Sequence, residues 1–194
     1  MFYIINSTPF NQNQLANKNL FNINFSGGFS GILTQEIREY RSLAYASSAK
    51  YKFNFHPEVN NYMFTYIGCQ ADKTNYAVSV AFDLLKNMPE KPDRMDMVRS
   101  KVILSQNSEF PNFRDLSEQV EALQIKGYDS DPREKANELY PNLEFTDIVS
   151  FYKENVQNQK IFLGIYGDSK RFDLEKLGQF GKVKKIEISD IIQF

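Results

Sequence analysis

Arg38 and Tyr45 are the two side chains of this sequence best suited to act on a polar ligand, and they stand seven residues apart. An arginine offers a rigid fork of donors to carbonyl or carboxylate oxygens. A tyrosine hydroxyl can donate to an oxyanion as it develops. Both lie in Ser26–Tyr45, SGGFSGILTQEIREYRSLAY, which opens on Gly27 and Gly28. Phe29, Ile32, Leu33, Ile37, Tyr40 and Ala44 follow in the i, i+3, i+4 spacing of a helix with one buried face. At about 100° per residue, Thr34, Arg38, Arg41 and Tyr45 fall on the opposite arc. The pattern predicts one helix over 29–44, capped by Ser26 or Ser30, that buries Leu33, Ile37 and Tyr40 and leaves Arg38 accessible. Along such a helix the two residues would be separated by about 10 Å. Taken alone, a solvated arginine and a helix-end tyrosine are most often structural.

Other chemistries find less support. His56 and Cys69 are the only histidine and the only cysteine. A catalytic zinc needs about three protein ligands, usually with histidine among them, and neither H-E-x-x-H nor H-x-x-E-H occurs. Pro57 separates His56 from Glu58 in a predicted turn, poor geometry for a shared ion. The chain is therefore expected to bind no catalytic zinc by itself, with His56 an exposed turn residue. Any Ser or Cys nucleophile would have only His56 as its histidine base, and Cys69 reads as a small buried thiol. Gly27-Gly28-Phe29-Ser30-Gly31 precedes a helix but lacks both the P-loop Gly-Lys-Ser/Thr and the G-x-G-x-x-G of a dinucleotide site. Its glycines are expected to serve backbone geometry and close helix approach. A net charge of -1 gives no basic field to draw nucleic acid. No apolar run approaches the roughly 20 residues of a membrane span.

The elements that must hold Arg38 and Tyr45 are legible as a pattern. A length of 194 residues suits one domain with a full core. Phe2–Ile5 is a short strand candidate, and 11–24 a helix that breaks near Gly27–Gly28. Tyr51, Phe53 and Phe55 alternate with polar residues, and 62–69 runs back with apolar residues on both faces; segments 46–55 and 62–69 are expected to pair as an antiparallel hairpin, the second more interior. Asp72 is expected to cap a helix whose stripe is Tyr76, Val80, Leu84 and Met88, ended by Pro89 and Pro92. Helical segments follow at 93–108, 114–126 and 132–139, then one capped by Thr146 and running to Val156. Ile161–Tyr166 reads as a fully buried strand, 173–180 as a short helix, and 182–188 as a final edge strand. The fold class is α+β: a mostly antiparallel sheet with helices packed on one face.

Here a resemblance adds to the residues. Gly27-Gly28, Ser30-Gly-Ile-Leu33, Glu36-Ile-Arg38-Glu39 and Leu43-Ala-Tyr45-Ala-Ser-Ser48 resemble, in order, the non-zinc domain of the M16 peptidases, the insulinase, pitrilysin and mitochondrial-processing-peptidase group. The specific likeness covers about 20 residues, with a weaker likeness along nearly the whole chain. It implies a domain that closes over a zinc-bearing N-terminal domain or subunit as half of a clamshell. On that resemblance Arg38 and Tyr45 would contact the backbone of a peptide substrate near the partner's zinc, and this chain would carry no cofactor of its own. The closing stretch from Gly181 to Ile188 resembles the C-terminal end of bacterial members, implying the last domain of a longer parent; by the same resemblance the first strand and helix of the complete domain fold are expected to be missing from its N-terminus. One departure is Ser42-Leu-Ala, where the family favours Gly-Leu-Gly/Ala. M16-like domains also serve as inactive scaffold subunits of respiratory complexes, the alternative reading; a small-molecule site on the glycine turn is a third.

Overall fold

The structure is a computed structural model of the chain, and it describes residues 2–5, 8–54 and 56–190. It is α+β, with a four-stranded sheet in the order β2-β3-β1-β4. The strands are β1 (Phe2–Ile5), β2 (Ala44–Lys52), β3 (Tyr62–Cys69) and β4 (Lys160–Leu163), and every pairing is antiparallel. The expected hairpin is present, although β2 is Ala44–Lys52 and Phe55 lies outside the described residues. β3 is interior, as its apolar residues on both faces suggest.

The helices include α1 (Leu15–Ser26), α2 (Ile32–Thr34), α3 (Thr74–Lys86), α4 (Met95–Ser108), α5 (Leu116–Ile125), α6 (Pro132–Leu139) and α7 (Phe145–Tyr152), of which α1, α3, α4 and α7 supply most of the other side of the core. Successive strand residues point to opposite faces, so the inner face presents Ile4, Tyr51, Met63 and Thr65, all fully buried. Phe21 and Phe25 of α1 and Phe151 of α7 fill the layer above them; Phe151 meets the Tyr51 ring edge-on at 5.1 Å. Among the described residues the opposite face of the sheet carries no helix layer, and Tyr45, Tyr66 and Phe162 stand on it exposed. No helix among the described residues is long and apolar enough to cross a membrane.

Several expectations fail for identifiable reasons. Ile161–Tyr166 is not a fully buried strand: β4 ends at Leu163, forms an edge, and leaves Phe162 46% exposed. A continuous apolar run does not distinguish a two-sided core strand from an edge strand with one dry face. Residues 182–187 form no strand; Val183 and Ile186 are exposed, since alternation cannot supply a neighbour to pair with. Asp72 sits in a one-turn 3-10 segment before α3 and pairs with Arg171 at 3.7 Å instead of capping the helix. The buried face of α3 is Ala77, Val78, Ala81, Leu84 and Leu85, while Tyr76 is exposed. Small alanines let this face approach its neighbours, a feature hidden from a reading weighted by bulk. Glu144, not Thr146, begins α7, with the Asp147 carboxylate accepting from its N–H at 2.8 Å in a capping box. Segments 132–139 and 173–180 fold as expected, their first turns capped by Asp131 and Asp173.

Candidate functional site

The predicted helix over 29–44 does not form as one piece, and Tyr45 is not on it. After α1 the chain makes a 3-10 turn at Gly28–Ser30, then a single α-turn α2 (Ile32–Thr34), then a π-turn over Gln35–Glu39. Gly28 adopts φ +66°, a conformation that side chains with a Cβ rarely take. Gly31 is required for a different reason: a Cβ there would lie 2.7 Å from the Gly27 nitrogen and from the Ser26 Cα. The glycines thus break one helix from the next and pack them closely. Lys101 of α4 fixes the turn by donating to the Gly27 carbonyl at 3.0 Å and to Ser30 Oγ at 2.6 Å.

The helix then closes abruptly. Tyr40 N–H reaches Gln35 O at 2.9 Å, the wide ring of π winding. Ser42 takes a left-handed φ of +48°, its N–H bonded to Arg38 O at 3.0 Å, while Leu43 N–H reaches Ile37 O at 2.9 Å. This is the two-bond closure of a Schellman end with each span one residue longer. Arg38 is left on the last helical turn, and β2 starts at once. Between Ala44 and Ala46 the register with β3 slips: Ala44 opposes Cys69 and Ala46 opposes Gly68, so Tyr45 is the extra residue of a β-bulge. Bulges re-aim side chains. Here Ala44 points into the core, whereas Tyr45 is 86% exposed.

These turns bring together what the helix would have kept apart. The Arg38 guanidinium carbon lies 5.3 Å from the Tyr45 ring centroid and 5.2 Å from that of Phe29. Two aromatic faces therefore bracket one cation, and Glu39 approaches its Nε at 3.4 Å. Beside it is an open hollow of ≈ 180 Å³ lined by Thr34, Arg38, Tyr45, Ala46, Ser47, Ser48 and Tyr66. Ser47 Oγ is buried and has no hydrogen-bond partner among the described residues. The arrangement offers a held guanidinium fork, a phenol and a small-residue floor to a polar, uncharged or anionic group.

Leu33 and Ile37 are fully buried and Arg38 is accessible, as the periodicity requires. Tyr40 was expected inside but is 64% exposed, because π winding and the early stop rotate it out of phase. Neither Ser26 nor Ser30 caps this segment; Gly31 is its first flanking residue. Arg41 leaves the arc it was assigned: its guanidinium turns back to the Glu36 carbonyl at 2.9 Å and to the Glu36 carboxylate, whose hydrogen bond raises the arginine's pKa. Phe29, Ser47 and Tyr66 were not foreseen in the site. Phe29 belongs to a separate turn, so no single helical phase relates it to Arg38. His56 meets Glu58 at 3.6 Å in an exposed turn, and among the described residues no three His, Cys, Asp or Glu side chains are grouped to hold a metal ion. Cys69 is half-buried, its sulfur 4.0 Å from Thr74 Oγ1.

No family model and no curated protein sequence matches the chain. Solved structures do. A peptidase M16 inactive domain from Pseudomonas fluorescens superposes with a TM-score of 0.64 at 16% identity, over 82% of this chain and 38% of that one. A protease from Helicobacter pylori gives 0.58 at 13%, over 79% and 37%. A chain of complex III2 from Candida albicans gives 0.56 at 14%, over 82% and 40%. The chain thus spans about two fifths of the length of each of these three chains. At these identities the likeness establishes an M16-like fold.

Proposed function

We propose that this chain is the substrate-side, non-zinc module of a two-part M16-type metallopeptidase, and that Arg38 and Tyr45 hold a peptide backbone opposite the zinc of a partner domain. The observation that carries the reading is the Arg38 guanidinium bracketed by Phe29 and Tyr45 at the rim of the hollow. A fork fixed between two rings loses little freedom when it meets a carbonyl, which is the advantage of a pre-organised donor. The likeness to an inactive M16 domain and to a protease supports the same reading. His56 with Glu58 and the lone Cys69 do not fit a zinc site, so the metal belongs to the partner.

In a complex with the zinc-bearing domain, Arg38→Ala or Tyr45→Phe should lower kcat/KM by about 10²–10³-fold, the usual effect of removing one oxyanion donor. The double variant should fall short of the product of the single losses. The competing scaffold reading draws on the likeness to the complex III2 chain. It requires both variants to leave a competent complex at full activity, and that result would replace the clamp.

A further inference from the structure

The backbone of β2 contains a gap that follows from the glycine break. β2 is an edge strand, and along an antiparallel ladder alternate residues turn their N–H and C=O away from the neighbour. α1 covers those outward groups with side chains. Tyr51 N–H donates to Asn22 Oδ1 at 2.7 Å and Tyr51 O accepts from Asn22 Nδ2 at 2.9 Å. One turn along the helix, Ser26 Oγ accepts from Ala49 N–H at 2.8 Å. Asn22, Ser26 and Ser30 are spaced by four, so a continued helix would set Ser30 beside the next outward residue, Ser47. The helix ends at Ser26 instead, and Ser30 Oγ is turned to the Gly27 carbonyl and Lys101. The register from Ala46↔Gly68 to Lys52↔Tyr62 is unbroken, so the alternation holds through Ser47. Its outward N–H and C=O therefore lack a partner among the described residues, its Oγ is buried and unpaired, and it lines the hollow beside Arg38 and Tyr45.

We propose that the Ser47 edge of β2 receives an extended polypeptide backbone as an added strand. Covering a strand edge with side chains is a standard defence against unwanted pairing. Here both outward groups are covered at Tyr51 and the N–H is covered at Ala49, whereas neither is covered at Ser47, the outward residue that faces the hollow. A peptide strand supplies the alternating acceptor and donor that Ser47 C=O and N–H require. Ala46, Ser47 and Ser48 offer no bulk to select its side chains, so the ligand class is an unfolded segment of relaxed sequence. The inference rests on the clamp reading and adds the strand on which the clamped peptide would lie.

Amide exchange on the uniformly 15N-labelled chain tests it, with a soluble ten-residue Thr/Val-rich peptide and its analogue N-methylated at alternate amides as probes. In the free chain the Ser47 amide should exchange at least tenfold faster than those of Ala49 and Tyr51. The unmodified peptide should shift and slow it, and the N-methylated analogue should not. A Ser47 amide as protected as Ala49 without peptide, or unmoved at the peptide's solubility limit, overturns the proposal. Movement of the Arg38 Nε–H and Tyr45 amide signals without Ser47 sinks the added strand and spares the clamp; the reverse sinks the clamp and spares the strand. Ser47→Pro should remain folded, because its N–H is not in the ladder, and should weaken the peptide about two- to tenfold for one lost hydrogen bond. Unfolding of that variant would place the N–H inside the ladder and overturn the assignment.

Discussion

Ser42 sits at the turn that converts a helical residue and a strand residue into neighbours, and it does so in a conformation that favours glycine. Its φ of +48° lies in the left-handed region, which costs an L-residue with a Cβ about 1–2 kcal/mol. Glycine avoids that cost but loses about 0.5–1 kcal/mol through the greater freedom of its unfolded chain. Ser42→Gly should therefore stabilise the chain by about 0.5–1 kcal/mol, or about 1–4 °C in Tm for a domain of this size. Nothing else changes on the native side: the carbonyl at 42 still accepts from Lys73 Nζ at 3.1 Å, and the serine side chain is exposed. Ser42→Val should move stability the other way by about 1–2 kcal/mol, because a β-branched residue tolerates positive φ least. Urea unfolding of the three proteins with a shared m-value measures both differences. Glycine and valine variants of equal stability, or a glycine variant less stable than the native chain, would refute the turn geometry. Serine in place of glycine at this position is then a local stability cost that leaves the Arg38–Tyr45 contact in place.

Two other outcomes follow from burial and charge. Leu33→Ala should cost about 2–5 kcal/mol, since Leu33 is fully buried on the short α2 turn, and denaturant midpoints measure it directly. Lys18 holds its amine 4.8 Å above the Phe53 ring, and desolvation, helped by the charges of Lys50 and Lys126, brings its pKa down to about 8. Below that pH the folded chain bears the whole cost of the buried charge. Between about 8 and the ordinary 10.5 the folded chain sheds the proton first, so stability rises with pH across that window. The shift bounds the effect at about 3 kcal/mol. Solvent around this half-buried residue and the lost ring contact reduce it to about 1 kcal/mol. Lys18→Met should accordingly be the more stable protein at pH 7, with the advantage shrinking by pH 10 in parallel urea titrations.

What was legible in the sequence was whatever one element decides within itself. The period-two run around Tyr51 gave β2, the apolar return at 62–69 gave β3, the Asp131-Pro132 step gave a helix start, and the stripe through Leu33 and Ile37 gave the buried side of the segment carrying Arg38. Arg38 was singled out correctly as accessible. The route by which it meets Tyr45 was not legible, because it depends on a π-turn, a non-glycine left-handed residue and a bulge, each an irregularity of one residue. Any of them shifts the phase of all that follows, so extrapolating 100° per residue across them placed Tyr45 on a helix and Tyr40 in the core. Phe29 was misplaced for the same reason. Residues 182–187 failed differently: their alternation is real, and only the missing neighbour decides against a strand.

The glycine break links the two halves of the site. A helix continuing past Ser26 would have carried Ser30 to the β2 edge and turned Phe29 with it, leaving Arg38 without its second ring and Ser47 with a cap. Stopping α1 at Gly27–Gly28 frees Phe29 to lie 5.2 Å from the guanidinium and removes the side chain that would have closed the strand edge. Gly31, where a Cβ would collide with backbone and not with a movable side chain, is what permits the chain to pack this closely against the end of α1 at the break. One local interruption in the sequence therefore produces both the bracketed arginine and the open backbone beside it. Their adjacency follows from the chain's own geometry, whatever ligand is finally found there.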